Sequence, residues 1–354
     1  MKLISILGTL CTAFILVNSA DAQDFSNPWK LVAQWDNDIL TGTDRGYTNG
    51  GRVALVRELD PEQKTHNSLQ RTLYTISDVF SSGLWGNTRL PENSLRFSWG
   101  TGLTQLMYTP EDFNASTAPV GERPYAGWLG AEFSLNASDS DSVGGITLSI
   151  GTTGKYSFAE EIQEWVHINI SNSPVFNGWD SQVPGEPTVN LNFDHKEKIC
   201  FLESTKDWLI KFDGYYEAGA AIGNFRTNAY LGSLVRLGNS LPNTYATPRV
   251  QLGSYGQELF TPENSDTQFF SFYGFAGLRG TVVFHDITLD GPVFRDFDET
   301  VESEPFVAEL IVGIAARIRR VDFSLSQTTR NDEFKGQRDN QRFGSIMLRV
   351  DFPF

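Results

Sequence analysis

The 354-residue chain is poor in cysteine, histidine, methionine and positive charge, with two Cys, four His and three Met. Cys11 falls in the N-terminal leader described below, so Cys200 is the one cysteine expected to remain, and an internal disulfide is excluded. Lys and Arg number 28 against 43 Asp and Glu, a net charge of −15. Nucleic-acid binders need clustered Lys and Arg for phosphate contacts, so that class is excluded. Attraction to an anionic surface is equally disfavoured. Beyond the N-terminus there is no 18-residue apolar run, which excludes a bundle of membrane-spanning helices. The chain also lacks a Gly-x-Ser-x-Gly elbow and any Cys/His zinc spacing, which leaves serine-hydrolase and zinc chemistry without support.

What is present begins with a leader. Lys2 gives a positive start, Leu3 to Val17 an apolar stretch, and Ala20-Asp21-Ala22 a small-residue cleavage pattern. Residues 1–22 read as a signal peptide cut before Gln23, with 23–354 as one exported domain.

The exported part repeats every two residues. Leu95 to Gly100 and Ile146 to Gly151 alternate apolar with small or polar. In Ala308 to Ile318 the even positions form an apolar face, while Glu309 and Arg317 fall on the other. Such strands suit a lipid-facing wall around a polar lumen. A soluble β-sandwich shares the period. Export, aromatics near strand ends and the terminal Phe354 favour a twelve-stranded antiparallel transmembrane β-barrel. A C-terminal aromatic strand also resembles the signal read by the barrel-assembly machinery of outer membranes.

Candidate strands fall near 28–38, 47–57, 94–107, 124–136, 142–153, 188–203, 207–223, 226–238, 268–284, 304–318, 319–330 and 343–354. Their number is even, as single-chain bacterial barrels require. An open edge in lipid would strand backbone groups, so the sheet must close. With both termini periplasmic, the outer loops are near 39–46, 108–123, 154–187, 224–225, 285–303 and 331–342. The periplasmic connections 58–93 and 239–267 are longer than the usual turn.

Three clusters carry chemical potential. Asn37-Asp38, with Thr48 across a hairpin, offers amide, carboxylate and hydroxyl oxygens of the kind hard cations such as Ca²⁺ take. Ordinary hairpin chemistry uses the same residue types. The loop Gly154 to His167 changes to helical spacing, with Ser157 as N-cap and Glu160 at the capping-box position. Gln163 and His167, four apart, share one helix face. A His at a barrel rim is a candidate general base, or the helix is a plug or lid and the His incidental. Asn177 to Pro187 returns the loop to the wall, and Asp180 or Glu186 offers a further oxygen ligand.

Taken in order, these motifs resemble the lipid A 3-O-deacylase family of outer-membrane barrels. The match comprises Asn37-Asp38, Asp44 to Gly50, Tyr108-Thr109-Pro110, Arg123 to Trp128, Gln163 to His167, Gly178-Trp179-Asp180 and Glu186-Pro187. It continues through Gly223-Asn224, Leu289-Asp290-Gly291 and Glu333 to Gln337. The resemblance implies a Ca²⁺-dependent esterase acting on lipopolysaccharide in the outer leaflet, its site between the wall and the loop helix. It further implies His167 as the base that activates water, with Gln163 and Asn37 as the other catalytic positions. Asp38, Thr48 and Glu186 are the implied metal ligands. An outer-membrane phospholipase and a non-enzymatic pore or structural barrel are the two other readings that fit these residues.

Overall fold

The computed structural model describes residues 29–41, 46–59, 96–112, 114–138, 141–171, 176–199, 210–242, 248–253 and 270–352. The expected leader, most of the 58–93 connection, Cys200 and Phe354 lie outside the described residues.

Twelve strands form a closed antiparallel barrel. They are β1 (Trp29–Asn37), β2 (Gly46–Glu58), β3 (Arg96–Thr109), β4 (Ala126–Ser138), β5 (Ser142–Thr153) and β6 (Pro187–Lys198), followed by β7 (Lys211–Gly223), β8 (Arg226–Gly238), β9 (Phe270–Asp286), β10 (Phe306–Ile318), β11 (Val321–Arg330) and β12 (Gln341–Phe352). Each pairs with its sequence neighbours, and β1 closes on β12 from Trp29 opposite Phe352 to Asn37 opposite Gly344. Closure leaves no edge, which hydrocarbon demands. Helix α1 (Ala159–Val166) lies in the β5–β6 loop and the short α2 (Ile287–Asp290) follows β9.

Alternation has the expected polarity. On β10, Leu310, Val312 and Ile314 face outward and are about half exposed, while Glu309 and Arg317 are buried in the lumen. The charges that make β6 an unlikely-looking strand resolve the same way, since Asp194 and Lys196 point inward and are buried. The lumen is filled with ion pairs. Arg52 meets Glu132 at 2.9 Å with neither side chain exposed, Arg279 meets Glu217 at 2.7 Å, and Arg330 meets Glu309 at 2.6 Å. Burying these charges is tolerable because each of the three pairs is matched and hydrogen-bonded.

The loops at one end of the barrel are knitted together. Arg123 binds Glu333 at 3.2 Å and Thr288 at 3.0 Å, and Ser303 bridges Phe334. Helix α1 stands at this same end, because the β5–β6 loop does.

Candidate active site

The site is built from two wall hairpins and one loop. Strand β1 ends at Asn37, and the chain turns at once into a 3-10 turn, Asp38–Thr41. Asp38 is fully buried, and the Thr41 hydroxyl donates to its carbonyl at 2.8 Å. Asn37 stands opposite Asn49 on β2. Its Nδ2 donates to Asn49 Oδ1 at 3.3 Å, and Trp35 Nε1 donates to the same oxygen at 2.7 Å. These bonds fix the Asn37 amide with its nitrogen toward Asn49 and its oxygen away from it.

Thr48 owes its position to a β-bulge. Tyr47 pairs with Tyr108 and Asn49 with Met107, so Thr48 is the extra residue between them. A bulge re-aims a side chain that regular alternation would direct elsewhere. Here the Thr48 hydroxyl lies 2.6 Å from that of Thr109.

Parity identifies the face. On β2, Arg52, Ala54 and Val56 are buried and Val53 is exposed, so Asn49 and Gly51 share the outward phase. On β3 that phase holds Leu103, Gln105 and Met107, and on β4 it holds Gly127, which stands opposite Met107. The loop helix is seated on this outer surface. Gln105 Nε2 donates to the Ser157 carbonyl at 2.6 Å. A Cβ built on Gly127 would lie 2.1 Å from Ser157 Oγ and 2.5 Å from Ala159 Cβ, so the glycine is what lets the loop touch the wall. Met107, Tyr125, Ala159, Phe176 and Trp179 pack into one apolar cluster. The helix therefore neither plugs nor lids the lumen.

Helix α1 turns the face that carries Gln163 and His167 toward the wall. Gln163 and His167 are buried at 4% and 1% exposure, whereas Phe158, Ile162 and Trp165 are exposed at 38% or more. Trp179 Nε1 donates to Gln163 Oε1 at 2.7 Å and fixes the amide. Gln163 Nε2 is buried without a hydrogen-bond partner among the described residues, and a buried donor of this kind usually finds one. His167 sits at the helix end, its ring 5.6 Å from Phe176, where the chain loosens into a π turn over His167–Ser171. π turns recur at functional sites. The His167 ring thus meets Phe176, which shares an apolar cluster with Met107, and Met107 stands opposite Asn49, the partner of Asn37.

The expected N-cap is corrected. Phe158, not Ser157, caps α1, in the left-handed region at φ 54° and without a side-chain cap. Ser157 is committed to a preceding 3-10 turn, Gly154–Ser157, by its contact with Gly127. A bulky residue held at positive φ costs roughly 1–3 kcal/mol and persists where its surroundings determine it. Glu160 and Glu161 occupy the first turn, where acids suit the helix dipole. Burial and the neighbouring Glu161 raise the Glu160 pKa above the usual carboxylate value. Burial pushes the Tyr125 phenol up to about 12, so it stays protonated.

The carboxylate of Glu186, a metal ligand on the family resemblance, has partners of its own. Oε1 accepts from Asn224 Nδ2 at 2.8 Å and Oε2 from the Phe294 N–H at 2.8 Å. It shares the phase of Thr188 and Asn190, which face inward on β6, so it braces the loops over the lumen. Asp180 is exposed and pairs with Lys155 at 3.0 Å.

Among the described residues, no three His, Cys, Asp or Glu side chains form a metal-holding group. The set that suits a cation is instead mixed: the buried Asp38 carboxylate, the oriented Asn37 amide and the Thr48 hydroxyl, all hard oxygen donors. Sequence reasoning did not foresee Asn49, Met107, Thr109 or Phe176 as supports, or the seating role of Gly127. Gly127 does lie inside the Arg123 to Trp128 motif, which was its one available signal.

A closed twelve-stranded wall with an apolar exterior, a charged interior and a loop helix fixed to its outer face defines an outer-membrane β-barrel. The chain belongs to the family described as outer membrane protein LpxR, whose family model matches residues 8–352. Among solved structures it is similar to LpxR from Salmonella typhimurium, with 19% identity and a TM-score of 0.68 over 91% of this chain and 100% of that one. The transport unit of the autotransporter AIDA-I from Escherichia coli is also similar, at 7% identity and TM-score 0.41, covering 98% of each chain. The β domain of the Bordetella autotransporter BrkA gives 10% identity and TM-score 0.39, over 94% of this chain and 100% of that one. No curated protein sequence matches the chain.

Proposed function

We propose that this protein is an outer-membrane lipid A deacylase, a Ca²⁺-dependent esterase that removes the acyl or acyloxyacyl chain at the 3-position of lipid A in lipopolysaccharide. The observation that carries this reading is the burial of Gln163 and His167 between α1 and the outward face of the wall. A membrane lipid reaches such a site sideways, from its own leaflet, without entering the lumen. The α1 end of the barrel is then the outer end, and family membership supports the same assignment. Around the site, Leu103 and Phe133 of the wall and Ile162 and Trp165 of the helix offer apolar surface suited to acyl chains.

In this mechanism neutral His167 accepts a proton from a water whose oxygen attacks the ester carbonyl carbon. The same imidazole then returns the proton to the departing 3-oxygen, leaving a free fatty acid and a 3-hydroxyl. Gln163, with Oε1 held by Trp179, presents Nε2 to a substrate carbonyl or to the water. Asn37 and Asp38, with Thr48 beside them, would hold the cation. Bound there, Ca²⁺ would supply positive charge for the oxygen that becomes negative in the transition state.

The test is acyl release from purified protein in detergent, with lipopolysaccharide and a glycerophospholipid offered separately in the presence of Ca²⁺. Loss of a single 3-linked chain from lipid A, with the phospholipid intact, is the expected result. Cleavage of the phospholipid alone would replace this reading with a phospholipase.

A further inference from the structure

The connection between β8 and β9 leaves the barrel at the end away from α1, yet residues 248–253 lie inside the lumen. Their contacts span most of its circumference. The Pro248 carbonyl accepts from Ser326 Oγ on β11 at 3.0 Å, and the Arg249 carbonyl from Gln34 Nε2 on β1 at 3.4 Å. The Arg249 side chain pairs with Glu309 on β10 at 2.5 Å. The Gln251 carbonyl accepts from Arg52 Nη2 on β2 at 2.5 Å, and its side chain meets Arg279 on β9. The Gly253 N–H donates to Glu132 on β4 at 2.9 Å, and its carbonyl accepts from Thr147 on β5 at 2.9 Å. Val250 and Leu252 pack against Tyr47, Leu106, Tyr108 and Phe343, the apolar group at the α1 end of the lumen. A loop lying across the mouth would not reach that depth.

One of these contacts lies directly behind the candidate site. The Val250 N–H donates to Asp36 Oδ2 at 3.0 Å, and the Tyr47 hydroxyl donates to the same oxygen at 3.1 Å. Asp36 immediately precedes Asn37-Asp38, and Tyr47 immediately precedes the bulged Thr48. A single lumenal carboxylate therefore ties together the two chain segments that carry the proposed oxygen donors, and the inserted segment holds that carboxylate from behind.

We propose that residues 248–253 are a built-in plug. It seals the barrel and, through Val250 and Asp36, acts as a positioning element for the Asn37–Asp38 and Thr48 ends of β1 and β2. The wild-type lumen is then closed to ions, and the site loses its geometry when the segment's backbone contacts are removed. The positioning half rests on the deacylase reading, while the sealing half does not.

Two variants of the full-length protein test it, each first checked for heat-modifiable gel mobility. In one, residues 248–252 become alternating Ser and Gly. In the other, Val250→Pro deletes one N–H and leaves the rest of the segment. Planar-bilayer conductance should be near baseline for the wild type and channel-like for the Ser/Gly variant. Val250→Pro should lower the kcat of acyl release at least ~10-fold with KM nearly unchanged, as loss of positioning and not of lipid binding requires. A wild type that already conducts as an open barrel, or a folded Ser/Gly variant that stays closed, overturns the plug. A folded Val250→Pro protein with wild-type kcat overturns the positioning role. Absence of acyl release in the wild type would count against the function alone and leave the conductance result standing.

Discussion

Gly127→Ala is the smallest change that separates the wall from the site. The added methyl would stand 2.5 Å from Ala159 Cβ and 2.1 Å from Ser157 Oγ. Carbon atoms need more than 3 Å, so the start of α1 must lift by about 1 Å, and overpacking of this kind costs roughly 1–3 kcal/mol. The wall itself has no reason to suffer, because Ala in a strand is favoured over Gly by roughly 0.5–1 kcal/mol. The loop is the part that yields. It carries Gln163 and His167 on its next two turns, and a 1 Å misplacement costs up to ~10²-fold in rate. The expected result is acyl release reduced by ~10–10²-fold with heat-modifiable mobility intact. Gly51→Ala is the control, since nothing lies within 4 Å of a Cβ there. A Gly127→Ala protein that turns over at the wild-type rate would refute the claim that contact with the wall sets the position of the helix.

Three further outcomes follow from the same geometry. Chelation of Ca²⁺, and separately Asp38→Ala, should abolish turnover while the barrel stays folded, because the strand ladder needs no metal; gel mobility and acyl release read both together. Trp179→Phe keeps the ring but removes the donor to Gln163 Oε1, and a hydrogen bond worth roughly 0.5–1.5 kcal/mol predicts a kcat lowered by up to ~10-fold. Glu132→Ala leaves Arg52 buried without its carboxylate, a loss of roughly 3–5 kcal/mol, and should lower the temperature at which the folded gel band disappears.

The wall was legible in the sequence because lipid outside and charge inside impose a strict period of two. All twelve strands fall within a few residues of their expected ranges, and β6, obscured by its charges, is explained by a lumen that takes charges in pairs. The helix was legible from the change of period at Ser157 to His167, as was the shared face of Gln163 and His167. Its cap was not, because Ser157 looks like an N-cap until Gly127 is known to press against it. The bulge at Thr48 left no mark in the pattern, since one extra residue in a polar, glycine-flanked stretch does not disturb an alternation that is already weak there. The surroundings of Glu186 were not legible, because its partners Asn224 and Phe294 come from loops far away in the chain, while alternation puts it in the inward phase of β6. The inserted segment 248–253 was invisible because many of its contacts come from backbone groups and its partners lie far away in the chain.

The most direct measurement is mass spectrometry of lipid A from cells that lack a lipid A deacylase and express this protein, its His167→Ala variant or its His285→Ala variant. His285 also lies near this end of the barrel, 3.1 Å from the Asn224 carbonyl and 3.7 Å from Asp290, and so controls for any imidazole there. The wild type and His285→Ala should remove one 3-linked chain, and His167→Ala, folded by gel mobility, should reduce this at least ~10²-fold. Unaltered lipid A in cells making the folded wild type, or full deacylation by His167→Ala, would contradict the proposed function.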